Sequence, residues 1–156
     1  MRLSEPVTRS QSAHTGTLDP LHFAHDTALA AALRGYVAEV AGSVGVGMES
    51  VSLDVGTPAS AYIALDWRLS RFPDRDVALL WDERRGWSAA IETHSGEDLI
   101  VLSYLGAGIV PDPSAVAWFT RSVRAEDHEA GQPTPPEVSG MDDAGLVAAL
   151  AAYRHR

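Results

Sequence analysis

Apolar residues recur at every second position through the middle of the chain, and at every third or fourth position on either side of it. In AYIALDWRL, residues Ala61, Ile63, Leu65, Trp67 and Leu69 alternate with Tyr62, Ala64, Asp66 and Arg68. A period of two predicts a strand with one strongly apolar face. The run RDVALLWDERRGWSAAIETHSGEDLIVLSYLG continues the pattern through two breaks marked by Gly86 and Gly96. Each break fits a three-residue hairpin loop whose glycine takes a left-handed conformation. Arg84, Arg85 and Gly86 would then join paired Glu83 and Trp87, and His94, Ser95 and Gly96 would join Thr93 to Glu97. In that register Val77, Leu79 and Trp81 share a core face with Trp87, Ala89, Ile91, Leu99 and Val101. Ala78, Leu80, Ala90, Ile100, Leu102 and Tyr104 fall on the reverse face, which is less polar than a solvent-facing sheet requires.

Helical spacing flanks this centre. Thr27–Ala41 predicts a helix with Leu29, Leu33, Tyr36, Val37 and Val40 on one side, Asp26 as N-cap and Gly42 as stop. GSVGVGMESVSLDVG reads as a loop entering a strand at Val51–Val55. PDPSAVAWFTRSVRA predicts a second helix opened by Pro113, with Ala115, Val116, Phe119 and Val123 as its stripe. A short last helix is expected over Asp142–Tyr153 from Leu146, Val147, Leu150 and Tyr153. The fold class is therefore α+β: a helix, an antiparallel meander of four to five strands, a helix, and an additional C-terminal helix. The expected organisation is a flexible arm over 1–20, the α+β domain over 21–124, a Pro- and Gly-rich acidic linker over 125–140, and the last helix within 141–156.

Composition narrows the function classes. The net charge is −9, and all twelve basic side chains are arginines. Such a chain lacks the positive field that supplies phosphate affinity, so neither direct nucleic-acid binding nor an anionic membrane is expected. There is no cysteine, which removes disulfides, thiolate catalysis and cysteine-held metals. With no apolar run resembling a secretion signal, the cytoplasm is the expected compartment.

The run from Ala61 to Phe119 resembles an uncharacterised actinobacterial family of small acidic proteins. The resemblance rests on Tyr62, Asp66, Arg68, Pro73, Arg75, Asp76, Trp81, Asp82, Gly86, Trp87, Gly96, Tyr104, Gly106, Pro111 and Pro113, and extends back to the helix containing Tyr36. It implies a domain boundary and carries no catalytic residue or cofactor.

No set of residues converges on a catalytic, cofactor or metal motif. His22 and His25 have no identified third ligand, and His94 reads as a turn residue. Glu92 and Asp98 would oppose each other at a wet end of the sheet. Trp67, Trp81 and Trp87 read as core, while Arg68, Arg71 and Arg75 read as a surface paired with Asp74 and Asp76. The leading expectation is a non-catalytic regulatory or protein-interaction domain whose reverse face, Leu80, Ala90, Ile100, Leu102 and Tyr104, is covered by a second copy, another protein or the C-terminal helix. The competing expectation is a small-molecule enzyme, a hydrolase, with a polar cleft at Asp66, Arg68 and Asp82.

Overall fold

The computed structural model describes residues 20–94, 98–137 and 141–153. The arm expected over 1–20 falls almost wholly outside them, as do Gly96 and its loop. Helix α1 spans Pro20–Val44, followed by strands β1 (Val51–Asp54), β2 (Ser60–Ala64), β3 (Val77–Asp82), β4 (Gly86–Glu92) and β5 (Leu99–Tyr104), then helices α2 (Pro113–Arg124) and α3 (Asp143–Ala151). The strands form one antiparallel sheet in the order β1-β2-β3-β4-β5. The architecture is the α+β meander that the alternation predicts.

Helix α1 carries the expected stripe, with Leu29, Leu33, Tyr36, Val37 and Val40 all buried. Its ends differ from expectation. Pro20, whose fixed φ suits a first helical position, opens the helix, so Asp26 lies inside it and is not its N-cap. The helix also passes Gly42 and stops at Gly45, which has a φ of +96°. The amides of Gly45 and Val46 both return to the Ala41 carbonyl at 2.8 and 2.9 Å, a left-handed ending that glycine adopts without a Cβ penalty. Helices α2 and α3 start at conventional caps. The Asp112 carboxylate accepts from the Ser114 amide at 2.9 Å, and that of Asp142 from the Gly145 amide at 2.7 Å.

The core lies between the sheet and the helices. Trp81, Trp87 and Ile91 face it together with Ile63 and Leu79, as the alternation predicts, and are buried against Leu33, Tyr36, Val37 and Phe119. Each indole removes on the order of 200 Å² from water. At ~25 cal/mol per Å² that is about 5 kcal/mol per ring, several times the ~1 kcal/mol net of one hydrogen bond. Burial therefore builds this core, and hydrogen bonds set how its rings point. Trp81 Nε1 donates to the Ile109 carbonyl at 2.7 Å. Trp87 Nε1 donates to the Tyr36 hydroxyl at 3.0 Å, and that hydroxyl donates to the Pro111 carbonyl at 2.6 Å.

Several strand details depart from the expected register. The β3–β4 pairing is Asp82 with Gly86 and Trp81 with Trp87, two residues away from the expected Glu83–Trp87 pair. An Asp82 oxygen accepts from the amides of Arg84 and Arg85 at 2.7 and 2.8 Å, closing the turn over Glu83–Arg85 and leaving Gly86, at φ +74°, as the first paired residue. A slip of two preserves every face. The β4–β5 pair behaves differently, because a bulge between Ala89 and Ala90 inserts Leu102 as an extra residue. Val101 therefore lies opposite Ala90 and Leu99 opposite Glu92, on the reverse face. Ile100 pairs with Ile91, on the core side, and Leu102 packs against the core. The expected faces of these four residues are thus exchanged. Tyr104, opposite Ser88, keeps its expected place.

The strand expected through Leu69 ends at Ala64. Beyond the Leu65 amide, which still reaches the Val77 carbonyl at 3.0 Å, the chain turns back through a Leu69–Phe72 bridge. Leu69 is nevertheless buried, so its apolar spacing serves a loop anchor rather than a strand. Residues 126–133 run beside the end of β5. Ser103 Oγ donates to the Ala130 carbonyl at 2.7 Å, and Tyr104 and Gln132 exchange two backbone hydrogen bonds of 2.8 Å, which pairs part of an otherwise open sheet edge. Helix α3 packs on α1, with Leu146 and Leu150 in the same core cluster. It does not cover the reverse face, because α1 offers it an apolar neighbour on the opposite side of the molecule.

Two stability tests follow from these contacts. A Cβ on Gly86 would stand 2.5 Å from the Gly108 carbonyl oxygen, whereas one on Gly108, at φ +90°, meets nothing within 4 Å. Urea titration should show Gly108→Ala losing about 1 kcal/mol for its left-handed backbone and Gly86→Ala losing a further 1–3 kcal/mol or so for the overlap. Equal losses would refute the close approach. Tyr36→Phe removes the partner of both Trp87 Nε1 and the Pro111 carbonyl and is expected to cost roughly 2–6 kcal/mol, about 1–3 per stranded buried group.

Candidate functional site

All three helices bury their stripes on the tryptophan side of the sheet, so among the described residues the reverse face carries no helix. The register lays out this face in rows. Ser52, Tyr62, Leu80, Ser88 and Tyr104 run across all five strands, and Ala64, Ala78, Ala90 and Val101 form the next row. Ala78, Ser88 and Ala90 are buried, while Tyr62, Leu80, Val101 and Tyr104 are half-buried and Leu99 is 38% exposed. Small side chains thus form a floor between larger ones. Over the Tyr62 end lies a cavity of about 390 Å³ bordered by Ser52, Asp54, Ser60, Tyr62, Leu80 and Leu99, among others.

Carboxylates bound the face at both ends. Asp54 and Asp82 sit across Ser60 at one end. At the other, Glu92 lies beside Asp76, its amide donating to the Asp76 carbonyl at 3.0 Å. Tyr62 reaches along the face and donates its hydroxyl to a Glu92 oxygen at 2.7 Å. Burial, then this hydrogen bond and the nearby carboxylate charge, push the Tyr62 hydroxyl up to about 12. Burial does the same to Tyr36, more strongly.

Of the residues expected on the reverse face, Leu80, Ala90 and Tyr104 lie there, while Ile100 and Leu102 belong to the other side. Val101, Leu99 and Tyr62 complete it. Tyr62 was already visible in the alternation of AYIALDWRL; the other two exchange places through the bulge, which no glycine or proline marks.

The polar trio does not assemble. Asp66 and Arg68 lie on the loop after β2, beside Asp76, and Arg68 holds Asp76 at 2.8 Å. Asp82 closes the turn at the far end of β3, about 20 Å away at ~3.3 Å per residue. Other polar side chains fasten this loop. Glu126, at the unusual φ of +57° for a residue with a side chain, accepts from the Ser70 amide at 3.0 Å and from the Ser70 hydroxyl, and Arg71 lies 3.6 Å away. These contacts hold its carboxyl below the usual range, the Ser70 hydroxyl first. Arg124 stacks over Trp67 with 5.4 Å between guanidinium and ring centre, which leaves Trp67 half-buried rather than in the deep core. His25 stands 3.9 Å from Asp143, and His94 and His128 are exposed. Among the described residues no three histidines or carboxylates are placed to hold a metal ion.

A family model, the family of unknown function DUF6292, matches residues 36–122. The chain belongs to that family. The match begins at Tyr36 and ends within α2, so it takes in the Tyr36–Trp87 contact, the whole sheet and both ends of the open face. No curated protein and no solved structure gives a significant match. No described helix is long and apolar enough to cross a membrane.

The pH dependence separates the two polar contacts. Because the Tyr62 value is raised above its ordinary 10.0, its contribution to stability is intact below pH 10 and is lost as pH rises through about 12. Glu92→Gln removes the charge but not the burial, so ultraviolet titration of the phenols should show the Tyr62 midpoint falling while staying above 10. Glu126 has the opposite sign: its lowered value contributes stability above the ordinary carboxylate range that is lost as pH falls through its folded value. Glu126→Gln should flatten the acid limb of a stability–pH curve, and an unchanged limb would show that the loop clasp carries no linkage.

Proposed function

We propose that this chain is a non-catalytic protein-interaction domain, of the regulatory or assembly kind, that docks through the open face of its sheet. One observation carries the reading. A sheet with both faces apolar ordinarily has helices on both, and here all three described helices lie on one side while Leu80, Val101, Tyr104 and Leu99 remain in part open to water. Tyrosines at such a surface suit contact with a partner, since each offers a large ring and a hydroxyl that stays hydrogen-bonded when covered.

Enzyme chemistry has less support, since Asp66 and Arg68 stand at the other end of the sheet from Asp82 and do not converge with it on one cleft. The acidic balance favours a protein over nucleic acid or a membrane surface as the partner, and a chain without cysteine fits the cytoplasm.

A photo-crosslinking amino acid at Tyr104, compared with one at exposed Arg34 on α1, tests the reading in cells that make the protein. A discrete adduct is expected from position 104 alone, and Leu80→Asp, with circular dichroism confirming the fold, should abolish it. No adduct at 104, or equal adducts at 104 and 34, would reject docking through this face.

A further inference from the structure

From the charge at the two ends of the open face, we infer that its occupant is a basic amphipathic helix of another protein, rather than a second copy of this chain. The inference rests on the docking reading above and adds the chemistry of the partner.

Every charged residue at a strand position of this sheet is an acid. Asp54, Asp82 and Glu92 are the three, Asp76 extends β3 beside Glu92, and among the described residues no arginine occupies a strand. The register puts all four carboxylates on the apolar face, two at each end. Two of them meet neutral donors: Asp54 accepts from the Gly56 amide at 2.8 Å, and Glu92 from the Tyr62 hydroxyl. Such hydrogen bonds leave the charge in place. The other two have arginines from adjoining loops, Arg68 at 2.8 Å from Asp76 and Arg85 at 3.4 Å from Asp82, with both arginines more than half exposed. Exposed pairs of this kind are weak enough to admit another cation.

A second copy fits these charges badly. Two-fold packing of one face on its own image brings an acid-bounded end against an acid-bounded end in either strand direction, between chains that each carry −9. A partner with an apolar stripe flanked by lysine or arginine matches both the centre and the ends. Helical form follows from the shape. Five strands at ~4.8 Å spacing make a face about 20 Å wide, which a helix of about fourteen residues crosses, and a helix is what completes the missing layer of a sheet already covered on its other side.

The test uses the full chain and two labelled helical peptides of about 18 residues with the same leucine stripe, one with lysine and one with glutamate on the polar side. Fluorescence anisotropy should show the lysine peptide binding about tenfold or more tighter than the glutamate peptide, with affinity falling as salt is added. Leu80→Ser and Tyr104→Ser keep the charge, and each should weaken binding about fivefold or more. Glu92→Gln should weaken it more than Glu39→Gln, which makes the same charge change on α1, across the sheet from the open face. If Leu80→Ser and Tyr104→Ser bind the lysine peptide like the wild type, the open face is not the docking surface and both readings fall. If both variants lose binding but the glutamate peptide binds as well as the lysine peptide, the docking face stands and the basic partner is rejected. Absence of lysine-peptide binding also rejects it. Sedimentation as a dimer that Leu80→Asp separates would give the face to a second copy and overturn the inference.

Discussion

The Tyr36 hydroxyl is the single group on which the arrangement of layers depends. It accepts from the indole of Trp87 in the middle of the sheet and donates to the Pro111 carbonyl just before α2. One oxygen thus relates α1, β4 and the start of α2. Its neighbour Trp81 holds the Ile109 carbonyl two residues earlier, so the two indoles together fix the path of the chain from β5 into α2. Both bonds are buried, where an unmatched polar group costs more than a matched one contributes. The core could be apolar in many ways, and these donors select the one in which both neighbouring helices settle on the tryptophan side.

That selection has a structural cost on the opposite surface. With α1 and α2 committed to the tryptophan face and α3 seated on α1, no described helix covers the reverse face, although one of its central rows, Ala64, Ala78, Ala90 and Val101, is small and apolar. The partial exposure of Leu80, Val101 and Tyr104 is a consequence of a sheet whose described helices all lie on one side.

The sequence conveyed the parts of this that depend on parity. Trp81, Trp87 and Ile91 share a face because alternation survives a register slip of two, so the unexpected turn closure by Asp82 did no harm to the reading. Leu29 through Val40 were legible because a helical stripe is defined by spacing and is indifferent to where the helix begins or ends. What was illegible is local chemistry that changes parity or competes with it. The bulge at Leu102 has no glycine or proline to mark it, and it exchanges the faces of Leu99 to Leu102. Leu69 keeps a strand's spacing while anchoring a turn. Asp26 looks like a cap, but Pro20 provides an earlier start. The place of α3 could not be read at all, since its stripe fits either the reverse face or α1, and only the three-dimensional position of α1 decides. For the candidate site, Leu80, Ala90 and Tyr104 were accessible from alternation, while the separation of Asp82 from Asp66 and Arg68 required the direction of β3.

The bulge in β5 also bears on how this surface changes over evolutionary time. Substitutions there alter one side chain each, and deleting the extra residue Leu102 would leave Val101 opposite Ala90, Ile100 opposite Ile91 and Leu99 opposite Glu92, whereas straightening the strand with Leu102 retained would turn Leu99 and Val101 toward the core and Ile100 and Leu102 away from it. The bulge, and not the composition of the strand, therefore decides which of these four apolar side chains face the open surface. A change of length between Trp87 and Tyr104 that shifts the pairing by one residue would present a different surface on the same scaffold.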